Sequence, residues 1–293
     1  MSAFFQKQWR FWLGPGGAAR LEAFRVCLGL SLLLYVGFRW QYAREWLTAA
    51  GFHVSPASLP YFDLAVPLLP ENFLPWFGLI FFGAICAFIA GWQLNVVSWM
   101  VLAGVAYVSA ADQLSFFSPN KILIVSLFVL AASTLGGYAR RAGDRRPAPS
   151  VWPVRILQAT AMIHLFAAGW AKIAFGGEWL AKPYVFWTQV HGTYRTDAAA
   201  FLLQHLPMKG WYALQWSALV FELLFPLLLT IRPLRRVGLA GGVIFQLSIA
   251  LLMKHLIYFN LIMLSFFVLF VDEERLTQLK LILNRLHAHA GKT

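Results

Sequence analysis

Eight long apolar stretches succeed one another along this chain of 293 residues. Each approaches the roughly 20 residues needed to cross about 30 Å of hydrocarbon. They fall near residues 21–39, 74–92, 96–111, 122–138, 154–175, 211–231, 237–253 and 256–271. Composition agrees, with 60% hydrophobic and only 12% charged residues; a soluble domain carries about twice that charge. The expectation is an all-α, polytopic membrane helix bundle of about eight transmembrane helices. The third, fourth, seventh and eighth stretches are short or ambiguous at their edges. The last two are joined by almost nothing, so they form either a tight hairpin around Lys254–His255 or a re-entrant segment.

The formal net charge of +12 would suggest nucleic acid in a soluble protein. Sorted against the spans, it gives an orientation instead. One side receives Lys7, Arg10 and Arg20, then Arg140, Arg141, Arg145 and Arg146, then Arg232, Arg235 and Arg236, and finally Arg275, Lys280, Arg285 and Lys292. The other receives mixed charge: Arg44, Glu45, Asp63, Glu71, Asp112, Glu178, Lys182, Arg195 and Asp197. Both termini are therefore expected in the cytoplasm, with membrane lipid rather than nucleic acid beside the basic residues. The organisation expected is an N-terminal interfacial segment (1–20), a transmembrane domain (21–272) and a basic cytoplasmic tail (273–293). Cys27 and Cys86 both lie in apolar runs without a Cys-x-x-C or Cys/His cluster, so no metal site is expected. Two outer loops, 41–73 and 176–210, are long enough to act as lids or to bind a membrane or exported protein partner. Proline breaks the first at 56, 60, 67, 70 and 75, and residues 198–206 of the second have the pattern of an amphipathic helical turn.

Polar residues inside an apolar span are costly and so become suspects. The fifth span carries Gln158, His164 and, near its outer end, Lys172; the sixth carries Glu222. Gln246 lies in the seventh, Asn260 near the start of the eighth, and Asn120 at the turn before the fourth. A half-submerged Lys172 can serve as a base, or its stem can snorkel to the interface. His164, eight residues earlier, lies about 12 Å away along the helix and about 80° around it. The two can border one pocket without touching. Glu222 precedes Pro226 in a locally weakened helix, and reads either as a paired or protonated tie between helices or as a proton carrier or ligand contact. A hydrogen bond between helices suffices for Gln246, and Asn120 suits a helix cap.

The order Ala168-Gly169-Trp170-Ala171-Lys172, Trp179, Glu222…Pro226, Arg232–Arg236 and Phe245-Gln246 resembles the horizontally transferred transmembrane (HTTM) domain family. This is the membrane part that vitamin K-dependent gamma-carboxylase shares with many bacterial proteins. Arg25 and the turn from Asp112 to Asn120 also look like it. The resemblance covers about 21–272. It implies Lys172 as the base associated with oxidising a reduced quinone, with His164, Trp179, Glu222, Gln246, Asn120 and Asn260 around the substrate. An isoprenoid quinone is the cofactor implied, and a bacterial inner membrane the setting. Two departures matter. The family's Phe-His is Phe245-Gln246 here, and its supporting His after the fourth span has no counterpart. The carboxylase's large lumenal domain is not expected either, which argues against carboxylation of a propeptide-bearing protein.

Two functional classes follow. One is a quinone- or lipid-dependent modifying enzyme with Lys172 at its outer-leaflet site. The other is a non-catalytic accessory, immunity or maturation protein whose polar residues fasten helices. A transporter is the weaker third, since no inverted repeat is visible.

Overall fold

The computed structural model describes residues 3–53, 66–111, 117–135, 150–175, 177–182, 184–254 and 256–290. Pro56, Pro60, Asp63, Asp112, Arg140, Arg141, Arg145, Arg146, His255 and Lys292 lie outside the described residues, as does the stretch 136–138. The described residues form α-helices joined by turns, with no strand among them. In chain order these are α1 (Ala3–Leu13), α2 (Ala18–Trp40), α3 (Ala43–Leu47), α4 (Leu74–Ala90), α5 (Leu94–Ala111), α6 (Ser118–Leu135) and α7 (Trp152–Ala174). They continue as α8 (Glu178–Ala181), α9 (Val185–His191), α10 (Asp197–His205), α11 (Met208–Thr230), α12 (Arg235–Leu252), α13 (Ile257–Phe267) and α14 (Glu273–Ala290).

Six helices are long and apolar enough to cross a membrane, namely α2, α4, α5, α7, α11 and α12 with their short extensions. The third and seventh stretches, ambiguous in sequence, are among them. The fourth and eighth are shorter apolar helices, Ser118–Thr134 and Ile257–Phe270. In the eighth, α13 tightens into a 3-10 turn over Val268–Phe270. That gives a length of only about 22 Å, less than the hydrocarbon thickness. Apolar side chains cover the exterior, and several polar ones are buried in a largely apolar core. Leu79, Ile163 and Ile244 are each about two-thirds exposed, whereas Arg25, Asn120, Gln158, Gln215, Glu222, Gln246 and Asn260 are buried. An apolar exterior with polar residues turned inward fits a protein whose solvent is lipid.

The chain divides into two compact units, 1–157 with 271–293, and 158–270. In the first, α2, α4, α5 and α6 approach through small residues. A methyl on Gly29 would meet Ile89 and Phe88, one on Gly78 would meet Trp40, and one on Gly104 would meet Phe81. Close backbone approach of this kind replaces the hydrophobic drive that lipid does not supply. Gly91, at φ 77°, ends α4 in the left-handed conformation, and Trp92 N donates to Ala87 O at 2.9 Å. Arg25 completes this cap, donating to the Phe88 carbonyl and, at 2.8 Å, to that of Ile89. A cation there also meets the negative end of the helix dipole. Between α3 and α4 the described ends of the loop fold back, with Leu69 N on Leu47 O at 2.8 Å and Arg44 forking onto Glu71 at 3.1 and 3.2 Å. Across the start of α2, Glu273 of α14 accepts from Ala19 N at 2.7 Å, and Arg20 donates to Val271 O at 2.7 Å.

In the second unit the helices again meet at glycines. A methyl on Gly238 would stand 2.8 Å from Leu228 Cβ, and one on Gly242 would stand 2.7 Å from the Phe267 ring. Thr196 caps α10, accepting from Ala199 N at 3.1 Å while its hydroxyl donates to Leu251 O at 2.6 Å. Lys254 N donates to Tyr194 O at 2.6 Å. Residues 194–196 thus hold the turn between α12 and α13, which form a tight hairpin.

Candidate functional site

Glycine brings the charged residues together. Gly169 lies on α7 three residues before Lys172, and a methyl there would be 2.9 Å from Glu222 Cβ on α11. At this crossing Lys172 Nζ donates to both carboxylate oxygens of Glu222, at 2.6 Å to Oε1 and 2.5 Å to Oε2. The lysine side chain is 21% exposed and the glutamate 7%. Lys172 therefore neither snorkels free nor stands as an isolated base. It is one half of an ion pair. Counting along each helix, Gly169 lies about 21 Å from Arg155 on α7, and Glu222 about 12 Å from the end of α11 at Thr230.

The third partner of the ammonium is aromatic. Lys172 Nζ lies 5.1 Å from the centroid of the Trp179 ring, a cation–π arrangement. Trp179 belongs to the short helix α8, too short to hold itself. Gln215, one face-repeat before Glu222 on α11, does so. Its Nε2 donates to Trp179 O at 2.7 Å and Lys182 O at 2.9 Å, and its Oε1 accepts from Phe186 N at 3.0 Å. At the exposed rim Lys182 donates to Glu178, a hydrogen bond that pushes its ammonium above the ordinary lysine range.

Around this centre His164 is half-buried on α7, with its ring 5.6 Å from that of Phe259. Two turns from Lys172, it borders α13 and is not a partner of the ammonium. Gln246 and Asn260 are buried on α12 and α13. Asn120 belongs to the other unit. It sits inside the first turn of α6, where its side chain accepts from Tyr35 OH at 2.7 Å and donates to Ser109 Oγ at 3.0 Å. It clasps α2 and α5 to α6 instead of capping a helix. Among the described residues no group of His, Cys, Asp and Glu could hold a metal ion.

The family model described as HTTM domain matches residues 14–274, most of the chain. The chain belongs to the HTTM domain family. No curated protein and no solved structure matches it. The HTTM match and the apolar helices together make this an integral membrane protein.

One buried residue beside the pair in this HTTM chain escaped the sequence. Gln215 is as buried as Gln246 yet was hidden in an apolar run. Its signal was spacing, since residues seven apart share a helix face and Gln215 lies seven before Glu222.

Proposed function

We propose that the pair Lys172–Glu222 is a proton-accepting couple for a lipid-soluble quinol, and that the chain is a quinone- or lipid-dependent modifying enzyme. Under this reading eight spans cross a bacterial inner membrane with both termini cytoplasmic, which places the pair toward the outer leaflet. The transmembrane domain runs over 21–272, between an interfacial segment and a basic tail. The supporting observation is the two-oxygen grip of Lys172 on a buried Glu222.

A bound quinol would supply a hydroxyl proton and a pair of electrons. The chain's own residues suit the proton. Glu222 takes it at Oε1 or Oε2, the two oxygens that Lys172 grips. Once the carboxyl is neutral, Lys172 is released from it and faces whatever negative charge the proton left behind. The positive charge keeps a negative partner throughout, which matters where an unpaired ion is costly. Trp179 holds the ammonium by its ring face, and so keeps it in place while its partner changes. His164 flanks the couple at a greater depth.

The experiment is oxidation of a reduced naphthoquinone in nanodiscs, with dissolved oxygen as electron acceptor. Wild type should exceed empty nanodiscs; Glu222→Gln should fall by about 100-fold or more, as removal of a positioned base does, and Lys172→Ala should fall likewise because the carboxylate loses its partner. Equal rates in wild type and Lys172→Ala would remove the couple from the chemistry.

A second reading is favoured by the same contacts. The pair joins α7 to α11, and Gln215 fixes residues 179–186 to α11, as an accessory protein presenting its outer loops to a partner requires. Under it, wild type does not accelerate quinol oxidation, and a neutral replacement of both charges keeps partner binding.

A further inference from the structure

We infer that Gln246 and Asn260 form a neutral amide clasp for the carbonyl- or hydroxyl-bearing headgroup of a lipid-soluble molecule. The inference rests on the reading above that the bundle receives such a molecule, and adds where its headgroup is held.

Gln246 is fully buried and Asn260 is 1% exposed. Among the described residues neither the nitrogen nor the oxygen of either amide has a hydrogen-bond partner. Buried amides are rarely left so, least of all in a bundle surrounded by hydrocarbon. The other two buried glutamines of this unit are engaged: Gln158 donates to Leu269 O at 2.7 Å, and Gln215 makes three bonds to backbone. The chain thus satisfies amides where they serve only structure.

Helix register puts the open pair beside the ion pair. At one level Gly242 packs on Phe225 and Phe267, joining α12 to α11 and α13. One turn from this contact, on the same side, lie Gln246 on α12 and Glu222 on α11. Two turns along α13 in that direction lies Asn260.

The chemistry of the clasp limits what it can take. Each amide offers a donor and an acceptor, so the two together satisfy a carbonyl or a hydroxyl. Neither carries charge, and a charged headgroup would arrive without a counter-ion. An amide that can present either its oxygen or its NH2 holds the oxidised and reduced forms of such a group alike.

The test is retention. Wild type and Gln246→Leu/Asn260→Leu are purified in parallel, extracted with organic solvent, and the extracts compared by mass spectrometry. The expected result is a neutral carbonyl- or hydroxyl-bearing molecule near one per wild-type protein, at least tenfold less in the double variant. Adding the molecule back should raise the melting temperature of wild type and not of the variant. If the double variant does not fold, the single variants Gln246→Leu and Asn260→Leu should each show reduced retention. A wild type that retains no organic molecule, so that water alone fills the amides, overturns the clasp. So does full retention by the leucine variants. Full retention by those variants while Lys172→Ala loses quinol oxidation overturns the clasp alone. Loss of the molecule by them, with Lys172→Ala fully active, overturns only the proton couple.

Discussion

Gly169 and Glu222 are packed so closely that a single methyl on the glycine would stand 2.9 Å from the glutamate Cβ. Contact at that range forces one of the two helices to move. Gly169→Ala should therefore separate α7 from α11 and weaken the Lys172–Glu222 pair. A cost of about 1–3 kcal/mol is expected, as for other overpacked sites. Thermal unfolding in nanodiscs measures it, and an unchanged melting temperature would contradict the close crossing.

Breaking the ion pair from one side leaves a buried charge alone. Lys172→Met should lose about 3–5 kcal/mol of stability, and Glu222→Leu a similar amount. The double replacement should recover most of it, because both charges are gone. Quinol oxidation should stay lost in the double variant even as the melting temperature returns. That split separates the chemical role of the pair from its role as a fastening.

Gln215→Leu removes three bonds to the backbone of residues 179–186 while filling a similar volume. The carbonyls of Trp179 and Lys182 and the amide of Phe186 lose their partner, at about 1–3 kcal/mol for each group left unpaired away from water. Hydrogen exchange should rise in this segment before it rises in α11. Equal protection in the variant would show that other contacts hold it.

Orientation can be read by single cysteines in a Cys27→Ala/Cys86→Ala background. Arg44→Cys and Lys182→Cys should react with a membrane-impermeant maleimide added outside intact cells. Arg236→Cys and Thr277→Cys should react only after the membrane is opened. The reverse pattern would overturn the cytoplasmic placement of the termini.

Much of this architecture is visible in one dimension. The apolar runs mark α2, α4, α5, α7, α11 and α12, since a membrane helix needs no partner to announce its length. Lys172 and Glu222 were each visible as costly exceptions, but not as a pair. They are separated by 50 positions, and their meeting depends on where two helices cross. Gly169 fixes that crossing, and a glycine in an apolar run does not name its neighbour. Asn120 shows the converse: a strong capping residue next to Pro119, it was drawn inward by the hydroxyls of Tyr35 and Ser109. The eighth stretch reads as short or ambiguous in sequence, and α13 is indeed short, tightening into a 3-10 turn at Val268.

Glu273 accepts from Ala19 N across 254 positions of sequence, and Arg20 reaches Val271 in the same place. During synthesis the first span therefore enters the membrane with its opening amide uncovered and Arg20 without that carbonyl. Both wait until residues 271–273 have been made. The start of α14 acts as a latch on the start of α2. A chain halted before residue 271 would leave the start of α2 without these two partners. Glu273→Ala should accordingly shorten the lifetime of the full-length protein in a pulse–chase experiment; an unaltered lifetime would mean that the latch is not read.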